Sequence, residues 1–467
     1  MVAALTREED EFLGEFFRAV VDDEPLLPND SRYVPLYEGD GLQEDDPVAL
    51  LATAIRYAKQ SVQLLAGFRG IGKSTELRRL RQTLETIGYK IILIDIEDYV
   101  NASTPVDVSD FLMAVAGAFG EAVVDEALLG ENVLKESYWE RAVAFMQTRV
   151  ELKELSGEFG GRVGAGTDVE AAKVNAELAA KVGFKANLKE DPTFKSRLQE
   201  KMAGHLGALT ADVRKFFEDC RKEFVTKYGP DVKIVVLVDS VEHIRGTSVN
   251  AGDVQASIET LFATHHDKLK IPGYHVVYTI PPFLKVRYPN LGSLYGVGAV
   301  QMFPAVKVKD KRDGVVTMGL ERLRTVIEKR QPAGRRLLTP EEVTRIIVES
   351  GGHLRDLLRI VAEVIRRTRT LPASSAVVTS ALDQLRTESL PIAEDDAVWL
   401  AKVARTGGAA LESREELVHL ARFFDTNMVL CYRNGPEWYD VHPLIKKHVM
   451  DLAKQVEERD KARSSQG

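Results

Sequence analysis

Apolar residues fall into short, nearly unbroken runs at 61–66 (SVQLLA), 90–96 (KIILIDI), 233–238 (KIVVLV) and 275–280 (HVVYTI). Each is bounded by polar or turn residues, the pattern of a strand covered on both faces. A further strand is predicted within 299–308. Between the first two runs, Leu77, Leu80 and Leu84 recur at helical spacing, so a helix is expected over 73–87, ended by Gly88. Strand, helix and strand within so short a stretch make one βαβ unit, which implies a parallel sheet with right-handed crossovers. Asp46-Pro47 opens another helix reaching about residue 58, with proline in the first turn where its missing N–H costs least. Helical periodicity also covers 106–127 and 194–228.

Other stretches break these patterns. Residues 24–46 are rich in Pro, Asp and Gly and read as an irregular lead-in. Residues 151–167 (ELKELSGEFGGRVGAGT) are polar and glycine-rich, and 183–189 alternates weakly, like a small hairpin strand. The interval 128–231 is therefore expected to be an insertion on the α/β core. From 312 the chain reads as helical, with Thr339-Pro340-Glu341-Glu342 as a capping box and a new helix near His353. Over 395–454 the pattern becomes helices, then 428–432, a turn at Asn434-Gly435, and 438–441: helices followed by a hairpin, the order of a winged helix. Residues 457–467 are polar and predicted to be disordered. The expected organisation is a lead-in (1–45), an α/β core (46–311), a helical lid (312–393), a winged helix (394–455) and a tail (456–467). No repeat of fixed period is present.

Composition narrows the class. At 467 residues, with 45% hydrophobic and 28% charged, the chain can bury large cores and has the balance of a globular protein. An aromatic content of 7% argues against a sandwich or propeller, and a net charge of −8 against wholesale coating of nucleic acid. Its two cysteines, Cys220 and Cys431, cannot form a Cys-rich zinc site and point to a reducing compartment. The acidic, amphipathic start lacks the features of a secretory signal, and no apolar run approaches the ~18 residues of a membrane span. A cytoplasmic protein is expected, without membrane partners. HExxH, GxSxG and Cys–His metal spacings are missing, so protease, esterase and zinc chemistry are not supported.

The strongest chemical signal is Gly67-Phe68-Arg69-Gly70-Ile71-Gly72-Lys73-Ser74, a full GxxxxGK[ST] match between a predicted strand and helix. Glycines let the backbone curl until successive N–H groups face phosphate oxygens. Lys73 would bridge the β- and γ-phosphates of ATP, the Ser74 hydroxyl would coordinate Mg²⁺, and the helix that carries Thr75 directs its positive end at the same anion. The run Ile234-Val235-Val236-Leu237-Val238-Asp239 puts a carboxylate at the end of a buried strand, suited to holding Mg²⁺. Glu242, three residues on, could polarise the attacking water. Thr279 fits two roles, a polar sensor of the γ-phosphate or a hydroxyl satisfying local backbone. Arg355, opening a helix after Ser350-Gly351-Gly352-His353, fits a nucleotide contact or an ordinary first-turn arginine. His442 fits a diphosphate contact or a packed histidine. Basic stretches at 307–312, 322–336 and 366–369 read mainly as solvated helix faces, with nucleic acid the lesser alternative.

Taken together, GFRGIGKST, IVVLVDSVEHI, YTIPPFL, SGGHLRDLL and YDVHPLIK resemble the AAA+ branch of P-loop ATPases. Within it they look most like STAND-type signalling ATPases, with origin-recognition-type initiators as relatives. The resemblance implies ADP and ATP as ligands with Mg²⁺, a small residue (Ser240) and an acid (Glu242) after Asp239, Arg355 as sensor 2, and His442 as a contact to ADP. It implies slow hydrolysis, self-association or engagement of a separate effector or sensor protein, and a role in a bacterial defence or conflict system. The alternative is an ATP-dependent DNA-binding or loading protein. Departures are a missing proline in Gly352-His353-Leu354, His243 where an acid is usual, and no arginine in YTIPPFL; Arg245 and Arg287 are the candidates for an arginine finger.

Overall fold

The computed structural model of the chain describes residues 5–22, 24–37, 46–130, 138–149, 183–247, 249–296, 298–408, 416–433 and 436–464. The glycine-rich stretch at 151–167, Arg414 and the Asn434-Gly435 turn lie outside them. The chain forms two compact units: residues 51–66 and 80–301, and residues 1–50, 67–79 and 302–467.

The first is built on a five-stranded sheet of order β2-β3-β4-β1-β5. The strands are β1 (Ser61–Gly67), β2 (Lys90–Asp95), β3 (Ile234–Asp239), β4 (His275–Ile280) and β5 (Val300–Phe303). β1 pairs with β4, β4 with β3, and β3 with β2, all in parallel. Every residue of β3 and β4 is buried, which is why both read as unbroken apolar runs. Register places Ala66 beside Ile280 and Val238 beside Tyr278, so β1 and β3 end at the same sheet edge. The expected strand at 299–308 is only four residues long, because Pro304 follows it and cannot donate to a ladder.

The helix Val108–Asp125 is buried along most of its length. Phe119 meets Phe217 at 4.7 Å and Tyr274 at 5.7 Å between ring centroids. Gly117 lies so close to the Trp139 ring that any β-carbon there would overlap it. The described helices of the 128–231 interval thus contribute to this core through Trp139, Phe216 and Phe217, each at most 2% exposed. Residues 183–190 are helical, where the weak alternation of 183–189 implied a hairpin strand. Phe184 and Leu188, four apart and buried, share one face, with Phe184 against Trp139. The true period is that of a helix.

The second unit holds the start of the helix Lys73–Glu85 and the helices Thr317–Arg330, Pro340–Glu349, Leu354–Arg367, Ser375–Glu388, Glu394–Thr406, Glu416–Asp425 and Pro443–Ser464. Thr339 caps the second of these C-terminal helices through the Glu342 N–H, as the sequence implied. β6 (Val429–Arg433) and β7 (Glu437–Val441) form an antiparallel hairpin. The segments read as lid and winged helix therefore fall in one unit with the phosphate-loop sequence. The tail expected to be disordered from 457 instead continues the last helix to Ser464. Val456 is buried, and Glu457 and Arg459 pair with Arg405 and Glu394 of the helix Glu394–Thr406, so polar composition there marks a docked helix face. Buried Arg79 is held bidentately by Asp46 (2.8 and 2.6 Å) and by Glu76 (2.6 Å). Removing one partner of such a cluster leaves a buried charge uncompensated, a loss of about 3–5 kcal/mol.

No helix among the described residues is long and apolar enough to cross a membrane.

Candidate functional site: a phosphate loop clasped at its tip

Residues 67–75 leave β1 and enter the helix Lys73–Glu85 through a tight loop. Gly70 and Gly72 have φ of +84° and +103°, the left-handed region that only glycine enters without strain. This is the conformation that aims consecutive N–H groups inward. Gly67, Phe68, Ile71 and Lys73 are buried, while Arg69, Gly70, Gly72, Ser74 and Thr75 are half-buried. The Lys73 ammonium folds over the loop and donates to the Gly67 and Phe68 carbonyls at 3.0 and 2.6 Å. A buried cation so placed, with the N–H end of a helix behind it, is a receptor for an anion. Thr75 faces elsewhere: its hydroxyl accepts from the Leu26 N–H at 3.2 Å and ties down the lead-in segment.

The loop's tip is gripped from far along the chain. The Arg355 backbone N–H donates to the Gly70 carbonyl (3.0 Å), and a β-carbon on Gly70 would come within 2.7 Å of the Arg355 β-carbon. Arg355 thus reaches the loop first through its backbone, at the N-terminal end of the helix Leu354–Arg367. His353, completely buried, places Nε2 2.8 Å from the Arg69 carbonyl. Phe424 packs edge-on to Phe68 at 5.2 Å, and the Asn427 amide reaches toward the Arg69 carbonyl at 3.5 Å. The preceding Gly351-Gly352 turn is forced: Gly352 has φ of +75° and abuts the Val306 backbone, where a β-carbon would overlap the carbonyl.

His442 is buried at the end of β7, its Nδ1 accepting from the Leu444 N–H (3.3 Å) and its Nε2 3.4 Å from Asp356 Oδ2. It joins the loop through Asp356 and His353. Asp356 has its carboxyl held far below the ordinary range: burial opposes ionisation, and the charges and hydrogen bonds of His353 and His442 overcome it.

In the sheet-containing unit, Asp239 ends β3 and accepts the Ser240 N–H at 2.8 Å. Ser240 has φ of +67°, a strained value outside glycine, and this turn carries Glu242 onto a short 3₁₀ segment. Thr279 is fully buried, and its hydroxyl accepts the Val241 N–H at 3.1 Å and lies 3.5 Å from the Val238 carbonyl. Both its contacts are to the backbone of the acid-bearing turn. His243 sits between Glu97 (2.7 Å) and Glu242 (3.9 Å), and so faces the acid it stands beside in sequence. Arg245 bonds the Ala102 carbonyl through its backbone, whereas the Arg287 guanidinium pairs with Glu259 at 2.9 Å.

The donor chemistry fits Mg²⁺ with a nucleotide. Ser74 in one unit offers a hydroxyl and Asp239 in the other a carboxylate, each by itself a hard oxygen donor of the kind that Mg²⁺ takes beside phosphate oxygens. Among the described residues no group of three or more His, Cys, Asp or Glu could hold a metal without such help. Sequence reasoning missed His353, Asp356, Phe424 and Asn427. A His353-x-x-Asp356 helix start, analogous to a capping box, was a readable signal for the first two; nothing local marks the others.

No protein-family model matches the chain, and no curated protein matches it in sequence. Among solved structures, the fold is similar to that of the ORC2 protein of Aeropyrum pernix in ADPNP–ADP complexes. That match has 11% identity, covers 95% of this chain and 98% of that one, and has a TM-score of 0.38. A Walker-type ATPase of Pyrococcus abyssi matches at 13% identity over 89% and 100% of the two chains, with a TM-score of 0.40. The A. pernix ORC1 protein in complex with DNA matches at 13% identity over 94% and 96%, with a TM-score of 0.35. These are likenesses of fold, a P-loop core with helical C-terminal parts.

Proposed function

We propose that the protein is an ATP-binding, slowly hydrolysing molecular switch of the AAA+/STAND kind, acting by self-association or through a separate effector protein. A defence or conflict role follows from the family resemblance. The observation that carries the reading is the grip on the phosphate loop. Backbone carbonyls at the loop's tip, Arg69 and Gly70, are bonded by the start of the helix Leu354–Arg367. A phosphate that reorganises the loop must act on those bonds. A ligand shifts a conformational equilibrium only through such differential contacts.

In this reading the loop N–H groups and Lys73 receive the phosphates, and Ser74 and Asp239 hold Mg²⁺. When bound, Mg²⁺ neutralises phosphate charge in the reaction. Glu242 orients and deprotonates the attacking water, and the Thr279 hydroxyl keeps the turn that presents Glu242 in place. Arg355 and His442 respond to nucleotide state from the loop's far side. The DNA-loading alternative gains nothing from the helix Glu416–Asp425, whose Arg422 is already paired with Asp396.

The test is light scattering after size exclusion on wild type and Lys73→Ala, in ADP and in a non-hydrolysable ATP analogue with Mg²⁺. ATP turnover is measured on the same samples with and without duplex DNA. The expected result is a nucleotide-dependent rise in mass that Lys73→Ala abolishes, with slow turnover indifferent to DNA. Constant mass with turnover strongly stimulated by DNA would replace the switch by the loading reading.

A further inference from the structure

Two segments distant in sequence meet at Asp356. Its Oδ2 lies 2.8 Å from His353 Nδ1 and 3.4 Å from His442 Nε2, and its Oδ1 lies 3.2 Å from the Arg359 guanidinium. The two histidines are held differently. His353 Nε2 faces the Arg69 carbonyl, which can only accept, so that nitrogen carries a hydrogen; Nδ1 accepts from the Asp356 N–H at 3.3 Å, and it donates to the Asp356 carboxylate 2.8 Å away only when the ring carries both hydrogens. His442 Nδ1 accepts from the Leu444 N–H, which leaves its hydrogen on Nε2, 3.4 Å from the same carboxylate but without a formed hydrogen bond to it. The contacts from the loop's tip to the end of β7 therefore run carbonyl, imidazole, carboxylate, imidazole, the last of them a close approach of 3.4 Å. His353, Asp356 and His442 are each no more than 8% exposed. In such low-dielectric surroundings a connected polar chain is worth more than its separate bonds, and loss of one member leaves the others unsatisfied.

We propose that Asp356 is a positioning residue that ties the tip of the phosphate loop to the C-terminal hairpin, making loop conformation and the seating of His442 one coupled event. For its ligand the proposal rests on the nucleotide reading above; the tie itself belongs to the chain alone. It differs from a direct phosphate contact by His442, because the histidine acts here through Asp356 and His353. Neighbouring hairpin contacts, such as the Tyr432 hydroxyl on the Gly351 carbonyl (2.7 Å), brace the same turn without touching the loop.

Hydrogen exchange on the full chain, without nucleotide, reads the amides of 68–72 and 429–441 separately. Asp356→Asn is expected to speed exchange in both segments by roughly tenfold while leaving β3 unchanged. His442→Ala is expected to speed loop exchange although it does not touch the loop, and His442→Gln, which keeps an N–H donor, to restore it. In the Asp356→Asn background His442→Ala should add nothing to the loop. Should Asp356→Asn fail to fold, the Ala-against-Gln comparison at position 442 decides alone. Loop exchange that ignores position 442, or effects that simply add in the double variant, would overturn the tie. ADP affinity supplies the second arm: Asp356→Asn weakens it by roughly tenfold if the tie serves the loop, and unchanged affinity refutes that use. If wild type binds no nucleotide, the nucleotide reading falls, and the exchange experiment still decides whether the tie exists.

Discussion

The phosphate loop and the acid-bearing turn after β3 are held in place by opposite strategies. The loop is curled by its own glycines, but its tip is gripped by residues about 285 positions away, His353 and Arg355. The turn is held by its neighbours in the sheet: Asp239 bonds the next N–H, Ser240 takes a strained φ of +67°, and Thr279 on the adjacent strand bonds Val241. A part braced from a distance can report its state to distant elements. A part braced locally keeps one geometry whatever those elements do.

The same contrast appears in two buried aspartates. Asp356, in the loop's unit, lies against two imidazoles and stays ionised. Asp110, in the sheet's unit, has its carboxyl pushed up to about 6 by burial, which the Gln199 amide and the Lys195 charge only partly offset. Burial raises both; cationic or donating neighbours decide whether the rise survives.

Four substitutions test the contrast between the two regions. The largest effect is expected from Gly352→Ala, which places a β-carbon against the Val306 carbonyl at a φ of +75°. A loss of about 4 kcal/mol in denaturant unfolding would show that the distant grip is rigid; a loss below about 1 kcal/mol would show a yielding one. Next, Glu242→Gln should lower ATP turnover by roughly 10²-fold or more with nucleotide affinity retained. Equal turnover would remove Glu242 as the base and the turn as a catalytic element.

The third effect depends on pH. Because the folded-state pKa of Asp110 is raised, the folded chain binds this proton more tightly than the unfolded one. Its contribution to stability is therefore full below about pH 4 and lost as pH rises through about 6. Asp110→Asn should gain about 2–3 kcal/mol relative to wild type between pH 4 and 7.5, measured by urea unfolding at each pH. A flat difference would mean that Lys195 and Gln199 hold the carboxylate as firmly as the histidines hold Asp356. The smallest effect belongs to Thr279→Val, which leaves the Val241 N–H without its acceptor. It should cost about 1 kcal/mol of stability and slow turnover without weakening nucleotide binding. If binding weakens instead, Thr279 contacts the nucleotide as well as the turn.

The chain's local patterns were sufficient for much of this molecule. Unbroken apolar runs give buried parallel strands because both sheet faces are covered, and the GxxxxGK[ST] spacing gives a phosphate loop because only glycine takes the backbone through φ values of +84° and +103°. Asp239 at a strand end and Thr339 at a helix start were legible for the same reason: the cause lies within a few residues of the effect. Where two periods competed over few residues, as at 183–190, sequence alone chose wrongly, since only burial against Trp139 shows which face Phe184 and Leu188 share. The polar tail was misread because charge composition cannot distinguish solvated chain from a helix paired with Arg405 and Glu394.

What tertiary structure alone decided is which distant groups meet. That Arg355 reaches the loop by its backbone, that Thr279 serves a turn, and that His442 faces Asp356 all depend on contacts among segments far apart in the chain. A motif specifies the conformation of its own residues, through sterics and hydrogen bonds that act over a few positions. The partners of those residues are set by packing of the whole chain, and no local pattern encodes them.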